Sequence, residues 1–184
     1  MRIVGGRYRA RTLVAPKGNA TRPTTDRTRE NLFNILENRI SFEGIRVLDL
    51  FAGTGALGLE AISRGASYCL FVEQASGARA AIRENIETLS AQGVTSVYRR
   101  DATRLGASGN IHPFSLVFCD PPYSRGLGEK AALSIVSGGW VQYDALFVLE
   151  ENHASFPELI EGFELIDQRR YGDTIIGIFN RTRL

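Results

Sequence analysis

The run FSLVFCDPPYSRGL, residues 114–127, starts as a short buried strand and stops on an aspartate, two prolines and a tyrosine. An apolar strand needs no carboxylate at its end, so Asp120, Pro121, Pro122 and Tyr123 are the first candidates for chemistry. An exocyclic amine on a base, or an amide nitrogen, is a poor nucleophile because its lone pair is delocalised into the adjoining π system. Two acceptors fixed around such an NH₂ pull the nitrogen toward tetrahedral geometry and aim the lone pair. The Asp120 carboxylate and the Pro121 carbonyl can form that pair, with the prolines stiffening the turn in advance. Tyr123 adds a ring on which a flat base can stack, worth about 1–3 kcal/mol. Prolines also simply end strands, so the tetrapeptide gains force only from its surroundings.

Those surroundings include RVLDLFAGTGALGLEA, which places Gly53, Gly55 and Gly58 between an apolar run and a helical one, with Glu73 twenty residues after Gly53. The glycines let the backbone approach a ligand, and the helix N-terminus offers unpaired amides. Glu73, closing the next strand, can accept from both hydroxyls of a ribose. Two ligand classes suit such a unit. A dinucleotide would place a pyrophosphate beside Asp49, which is repulsive. A ligand bearing an ammonium group, such as the methionine part of S-adenosylmethionine, would be attracted, and its carboxylate could take the helix amides. Asp49 could equally cap the loop backbone. In VYRRDATRL a third strand ends at Asp101, which could accept from an adenine amino group or cap a helix. Three acids closing successive strands would line one crevice, where open α/β sheets bind ligands.

Positioning these residues takes alternating strands and helices. Apolar runs at residues 45–50, 68–72, 94–98, 114–119 and 145–149 read as strands. Helical spacing appears through Leu32, Phe33, Leu36 and Ile40, over 56–63, through Ala78, Ile82, Ile86 and Leu89, and over 130–136. Two last strands, 163–166 and 174–179, join through Gly172 without a helix. The expectation is an α/β, Rossmann-like, mostly parallel seven-stranded sheet with an antiparallel edge hairpin. The Asp120 strand would lie beside the Asp49 strand at the switch point. RIVGGRYRARTLVAP adds a short N-terminal β-hairpin around Gly5-Gly6, with Arg7, Arg9 and Arg11 alternating outward.

A chain of 184 residues suits one domain, with 1–22 as a basic hairpin and linker and 23–184 as the catalytic core. Net charge is +2, but residues 1–29 alone carry +7 and the rest −5. That asymmetry suggests a polyanion met at one end, through Arg2, Arg7, Arg9, Arg11, Lys17, Arg22, Arg27 and Arg29. Arg27 and Arg29 could instead pair locally with Asp26 and Glu30. Cys69 and Cys119 each lie in an apolar run and read as buried free thiols, so neither a disulfide framework nor a metal site is expected. No apolar stretch reaches the roughly 18 residues of a membrane span, and the N-terminus lacks a secretory h-region. Cytoplasm is the expected compartment.

VLDLFAGTGALGLEA, FVE, RDA and DPPY resemble the successive motifs of Rossmann-like methyltransferases acting on amino groups. RPTTDRTRENLFNIL, preceding them, resembles the signature of RsmD-type bacterial small-subunit ribosomal RNA guanine-N2 methyltransferases. That likeness spans nearly the whole chain. It implies S-adenosylmethionine bound by Asp49, Phe51, Ala52, Gly53, Thr54, Gly55, Glu73, Gln74, Asp101 and Ala102, with the guanine amine held by Asp120 to Tyr123. The segment 24–31 would lie over that site. It also implies a monomer acting on ribosomal RNA, in the small subunit or an assembly intermediate. Ala75 stands where many relatives carry a polar or acidic residue, which shifts a second adenosine contact toward Gln74. DNA adenine or protein glutamine methylation and a dinucleotide-binding redox module are the alternatives.

Overall fold

Runs rich in β-branched and aromatic residues build the central strands. The computed structural model describes residues 1–16 and 25–183, which fall into two compact units, Met1–Arg99 and Arg100–Leu184. In the first unit, β1 (Arg46–Leu50), β2 (Tyr68–Val72) and β3 (Thr95–Tyr98) pair in parallel, from Arg46 opposite Tyr68 to Leu50 opposite Val72. Both β1 and β2 are buried from their second residue onward, as parallel strands covered on two faces must be. Helices α1 (Asp26–Glu37), α2 (Ala56–Ser63) and α3 (Ser76–Thr88) complete the unit. Thr25 caps α1, its hydroxyl accepting from the Thr28 amide at 3.1 Å.

Nearly every residue of α2 is buried, because the sheet covers one side and the N-terminal arm another. Gly58 packs so close to β2 that a Cβ there would stand 2.5 Å from the Cys69 sulfur and clash with the Phe71 ring. On the arm side, the buried Glu60 accepts from the amides of Val4 at 2.9 Å and Gly5 at 2.8 Å. Here the expected hairpin forms, with the Ile3 amide donating to the Arg11 carbonyl and the Leu13 amide to the Met1 carbonyl, but its expected alternation needs correction. Arg2 and Thr12 form one antiparallel bridge, but residues 7–10 turn and do not alternate as a strand. The cause is the C-terminal end of α2. Its Ser63 carbonyl and hydroxyl take the amides of Arg7 at 2.8 Å and Tyr8 at 2.9 Å, so the arm wraps a helix end that would otherwise hold orphan acceptors.

In the second unit, β4 (Phe114–Cys119) pairs in parallel with β5 (Val141–Asn152), across a register shift between Phe114 and Leu116. β5 pairs antiparallel with β7 (Thr174–Arg181), and β7 with β6 (Phe163–Tyr171), joined through Gly172 at φ +62°. Helix α4 (Leu127–Ser137) leads into Trp140, which is buried, stacks on Phe114 and donates its indole N–H to the Gly106 carbonyl at 2.8 Å. The seven strands among the described residues run in the order β3-β2-β1 in the first unit and β4-β5-β7-β6 in the second, the mostly parallel arrangement with an antiparallel edge that the sequence predicts. Cys69 and Cys119 are buried free thiols. Among the described residues no helix is long and apolar enough to cross a membrane, and no group of His, Cys, Asp and Glu could hold a metal ion.

Two glycines test this packing in opposite directions. Gly58→Ala gains the helix propensity of alanine, about 1 kcal/mol, but its methyl must displace β2 side chains, so a net loss of about 1–2 kcal/mol is expected. Gly77→Ala, in α3 with no atom near its Cβ position, should gain up to ~1 kcal/mol. Urea unfolding midpoints check both, and a Gly58→Ala midpoint at or above that of the parent would contradict the close approach of α2 to β2.

Candidate active site

The chain leaves β1 through a loop with three residues in the left-handed region: Phe51 at φ 54°, Gly53 at 57° and Gly55 at 76°. A non-glycine residue held there is strained and marks a functional turn more often than chance. Gly53 donates its amide to Glu73 Oε2 at 3.0 Å, and Ala75 donates to Glu73 Oε1 at 2.8 Å. Each carboxylate oxygen of Glu73 thus takes one backbone amide and retains a lone pair, which orients the group at the end of β2. The other face of Gly53 is open, since a Cβ built there meets nothing nearer than the Phe51 carbonyl at 4.0 Å. Gln74 is exposed, and its carbonyl, like that of Glu73, accepts from Arg79.

Asp49 is 2% exposed and its Oδ2 accepts from the Gly58 amide at 3.0 Å, so the backbone-capping role is realised. One amide does not offset the loss of water around a carboxylate. Burial, and then the charge of Glu73, raise its pKa from the ordinary 3.8 to about 8 despite the Gly58 bond. At neutral pH it holds a proton that a neighbouring cation would expel.

In the second unit Asp101 caps the 3-10 turn Ala102–Arg104, its Oδ1 accepting from the Thr103 amide at 2.9 Å and hydroxyl at 2.7 Å. The hydroxyl bond and then the amide bond hold its carboxyl below the ordinary value. Both bonds go to Oδ1, so the cap leaves Oδ2 to accept elsewhere. Ala102, behind it, is buried.

Asp120 is half-buried at the end of β4, Pro121 is buried and Pro122 exposed. Tyr123 reaches back to the sheet, its hydroxyl donating to Glu150 Oε1 at 2.8 Å and lying 3.1 Å from the Thr174 hydroxyl. Burial first, with the Glu150 and Asp120 carboxylates adding to it against the Thr174 bond, pushes that hydroxyl up. It therefore stays protonated and donates. Next along, Ser124 at φ 63° donates its amide to the buried Glu151 Oε1 at 3.0 Å. The same oxygen accepts from the Asn152 amide at 2.6 Å and the Ser155 hydroxyl at 3.0 Å. The turn is held at both Tyr123 and Ser124 by acids at the end of β5. These supporting residues escape the sequence reading, although the run LFVLEEN carries the same signal as the other sites, an apolar strand ending on acids.

Of the predicted basic contacts, Arg2, Arg7, Arg9, Arg11 and Arg27 are exposed, with the Arg7 guanidinium 4.6 Å over the Tyr8 ring. Arg29 is a correction: it is 1% exposed and cannot meet a polyanion. Its Nη2 donates to Asp26 Oδ1 at 2.8 Å and to the Arg2 carbonyl, and its Nε lies 3.6 Å from Glu60. A guanidinium closing over two carboxylates and the arm backbone has no reach left for solvent. Lys17, Arg22 and Thr24 lie outside the described residues.

Residues 1–180 match the family described as Conserved hypothetical protein 95. The chain is 35% identical over 182 residues to Ribosomal RNA small subunit methyltransferase D of Escherichia coli, covering 98% of this chain and 90% of that one. It is equally similar, at 35% over 185 residues, to YlbH of Bacillus subtilis, covering 98% and 99% of the two chains. Among solved structures, yhhF of Escherichia coli superposes with a TM-score of 0.84 at 33% identity, covering 100% of this chain and 99% of that one. An acid-lined glycine loop after β1, a clamped D-P-P-Y turn after β4 and these likenesses agree: the chain belongs to the Conserved hypothetical protein 95 family of RsmD-type methyltransferases.

Proposed function

We propose that this protein transfers a methyl group from S-adenosylmethionine to the N2 amine of a guanine in small-subunit ribosomal RNA. The observation that carries the reading is the buried carboxylate of Asp49, in β1 just before the glycine loop, 2% exposed and bonded to a single amide. A pyrophosphate would make that carboxylate costlier still, whereas an ammonium group compensates it. When bound, the cofactor supplies an activated methyl carbon on a sulfonium. Asp49 would hold the ammonium, the amides opening α2 the carboxylate, and Glu73 the ribose hydroxyls. Phe51, Ala52 and Thr54 would shape the backbone against the nucleoside. Asp101 Oδ2 would accept from the adenine amine, and Ala102 and Gln74 would flank it.

The Asp120 carboxylate and Pro121 carbonyl would accept the two hydrogens of the guanine amine and turn its lone pair toward the methyl carbon. Tyr123, anchored through its hydroxyl to Glu150 and Thr174, would present its ring to the base, while Pro122 keeps the turn rigid. No strong general base is needed, because the amine becomes cationic on methylation and loses its proton readily. Support for an RNA target comes from the exposed Arg2, Arg7, Arg9, Arg11 and Arg27 and from the 35% identity to a protein named for small-subunit ribosomal RNA. Lys17 and Arg22 would extend the same grip. Phosphate contacts of this kind position the RNA, and base contacts specify the target. A paired target guanine would have to leave its stack.

The Asp49 assignment predicts a pH dependence with a definite sign. Below about pH 8 the free enzyme holds a proton on Asp49 that the ligand's ammonium must expel. Affinity for S-adenosylhomocysteine should therefore rise with pH toward 8, by up to about tenfold per unit, and Asp49→Asn should flatten the profile. Calorimetric titration across pH 6–8.5 reads it, and a flat parent profile counts against the assignment.

Asp120→Ala should lower methyl transfer at least ~100-fold while S-adenosylhomocysteine affinity stays within about threefold, well under the tenfold that a 1.4 kcal/mol loss would produce. Product is read as N2-methylguanosine by nucleoside mass spectrometry, after incubation with ribosomal RNA or small subunits from a strain lacking the enzyme. Methyl groups on adenosine, or only on protein, would rule out the proposed substrate.

A further inference from the structure

Asn85 is 1% exposed on α3 and is the point where the N-terminal arm meets the glycine loop. Its Oδ1 accepts the Val14 amide at 2.8 Å, and its Nδ2 donates to the Val14 carbonyl at 3.0 Å and to the Thr54 carbonyl at 3.0 Å. The carboxamide pairs both backbone groups of Val14 as a neighbouring strand would, and gives its remaining hydrogen to the loop residue between Gly53 and Gly55. Both amide hydrogens are therefore used, and withdrawing either partner strands a buried polar atom. The arm also touches Thr54 directly, the threonine hydroxyl lying 3.7 Å from the Met1 sulfur.

The loop is thus gripped from two sides, through the Gly53 amide by Glu73 and through the Thr54 carbonyl by Asn85. The same arm carries the exposed Arg2, Arg7, Arg9 and Arg11. We propose that Asn85 is a positioning residue that couples RNA held by the arm to cofactor held by the loop, so that each ligand tightens the binding of the other. The inference rests on the reading of the arm as an RNA grip. RNA held by the arm bears on Val14, Val14 on the carboxamide plane, and that plane on the Thr54 carbonyl. A ligand that favours one setting of this chain of bonds favours it for the other ligand as well, which is positive coupling and is reciprocal.

The test measures S-adenosylhomocysteine affinity with and without a ribosomal RNA fragment that the parent enzyme methylates. RNA should raise the parent's affinity at least about fivefold. Asn85→Asp keeps the acceptor for Val14 but removes both donors. Val14→Pro removes the Val14 N–H and leaves α3 intact, so it decides the question if Asn85→Asp does not fold. Both variants should bind RNA alone and S-adenosylhomocysteine alone within about threefold of the parent, yet show less than about twofold enhancement. A loss of affinity without loss of the enhancement would mean a merely structural role and would overturn the proposal. So would a parent enzyme that methylates RNA with no enhancement, which leaves the proposed function standing. A parent that binds no RNA overturns both.

Discussion

Burying a carboxylate without a cation is among the more costly things a small fold can do, and Asp49 is buried with one amide for company. That amide belongs to Gly58, which reaches Asp49 only because it has no side chain to strike Phe71 and Cys69. Three left-handed residues between β1 and α2 then carry the chain from the carboxylate to the helix in a few steps. Glu73 closes the loop from β2 by taking the Gly53 amide. The first unit is in this sense arranged around an acid that stays protonated at neutral pH until a cation meets it. A ligand with an ammonium group supplies what is lacking, and a pyrophosphate does the reverse.

Under the proposed function, the second unit meets a different demand, rigidity at a turn. Weak nucleophiles need their acceptors held in place before the reaction, since alignment gained during the reaction would raise its barrier. Two prolines give local stiffness, but the turn is also tied to the sheet by Tyr123 to Glu150 and by Ser124 to Glu151. Glu151 takes three donors on one oxygen while nearly excluded from solvent. Such a carboxylate is ordered by its surroundings and in turn orders them.

Local patterns were legible wherever one chain segment decides its own state. The limits of α2, β2 and β4 are those that apolar runs and helical spacing mark in the sequence, and the acids closing β1, β2 and β4 are visible as polar stops on buried strands. Contacts between distant segments were not legible. Nothing in RYRAR shows that the α2 end will collect its amides, so a strand with alternating arginines was the natural expectation. Arg29 sits among other basic residues and reads like them, yet Asp26, Glu60 and the Arg2 carbonyl draw it inside. Asn85 lies 71 residues from Val14, and no periodicity points from one to the other. β5 outlasts its apolar run because antiparallel pairing with β7 continues to Asn152, which carries Glu150 and Glu151 to where the turn needs them.

The compensation of Asp49 is tested most directly by a crystal structure of the enzyme with S-adenosylhomocysteine. The ligand's ammonium should lie within hydrogen-bond distance of the Asp49 carboxylate, with its ribose hydroxyls on Glu73 and the Gly58 bond retained. A ligand whose amino-acid end lies away from Asp49, leaving that carboxylate with Gly58 alone, would contradict the account.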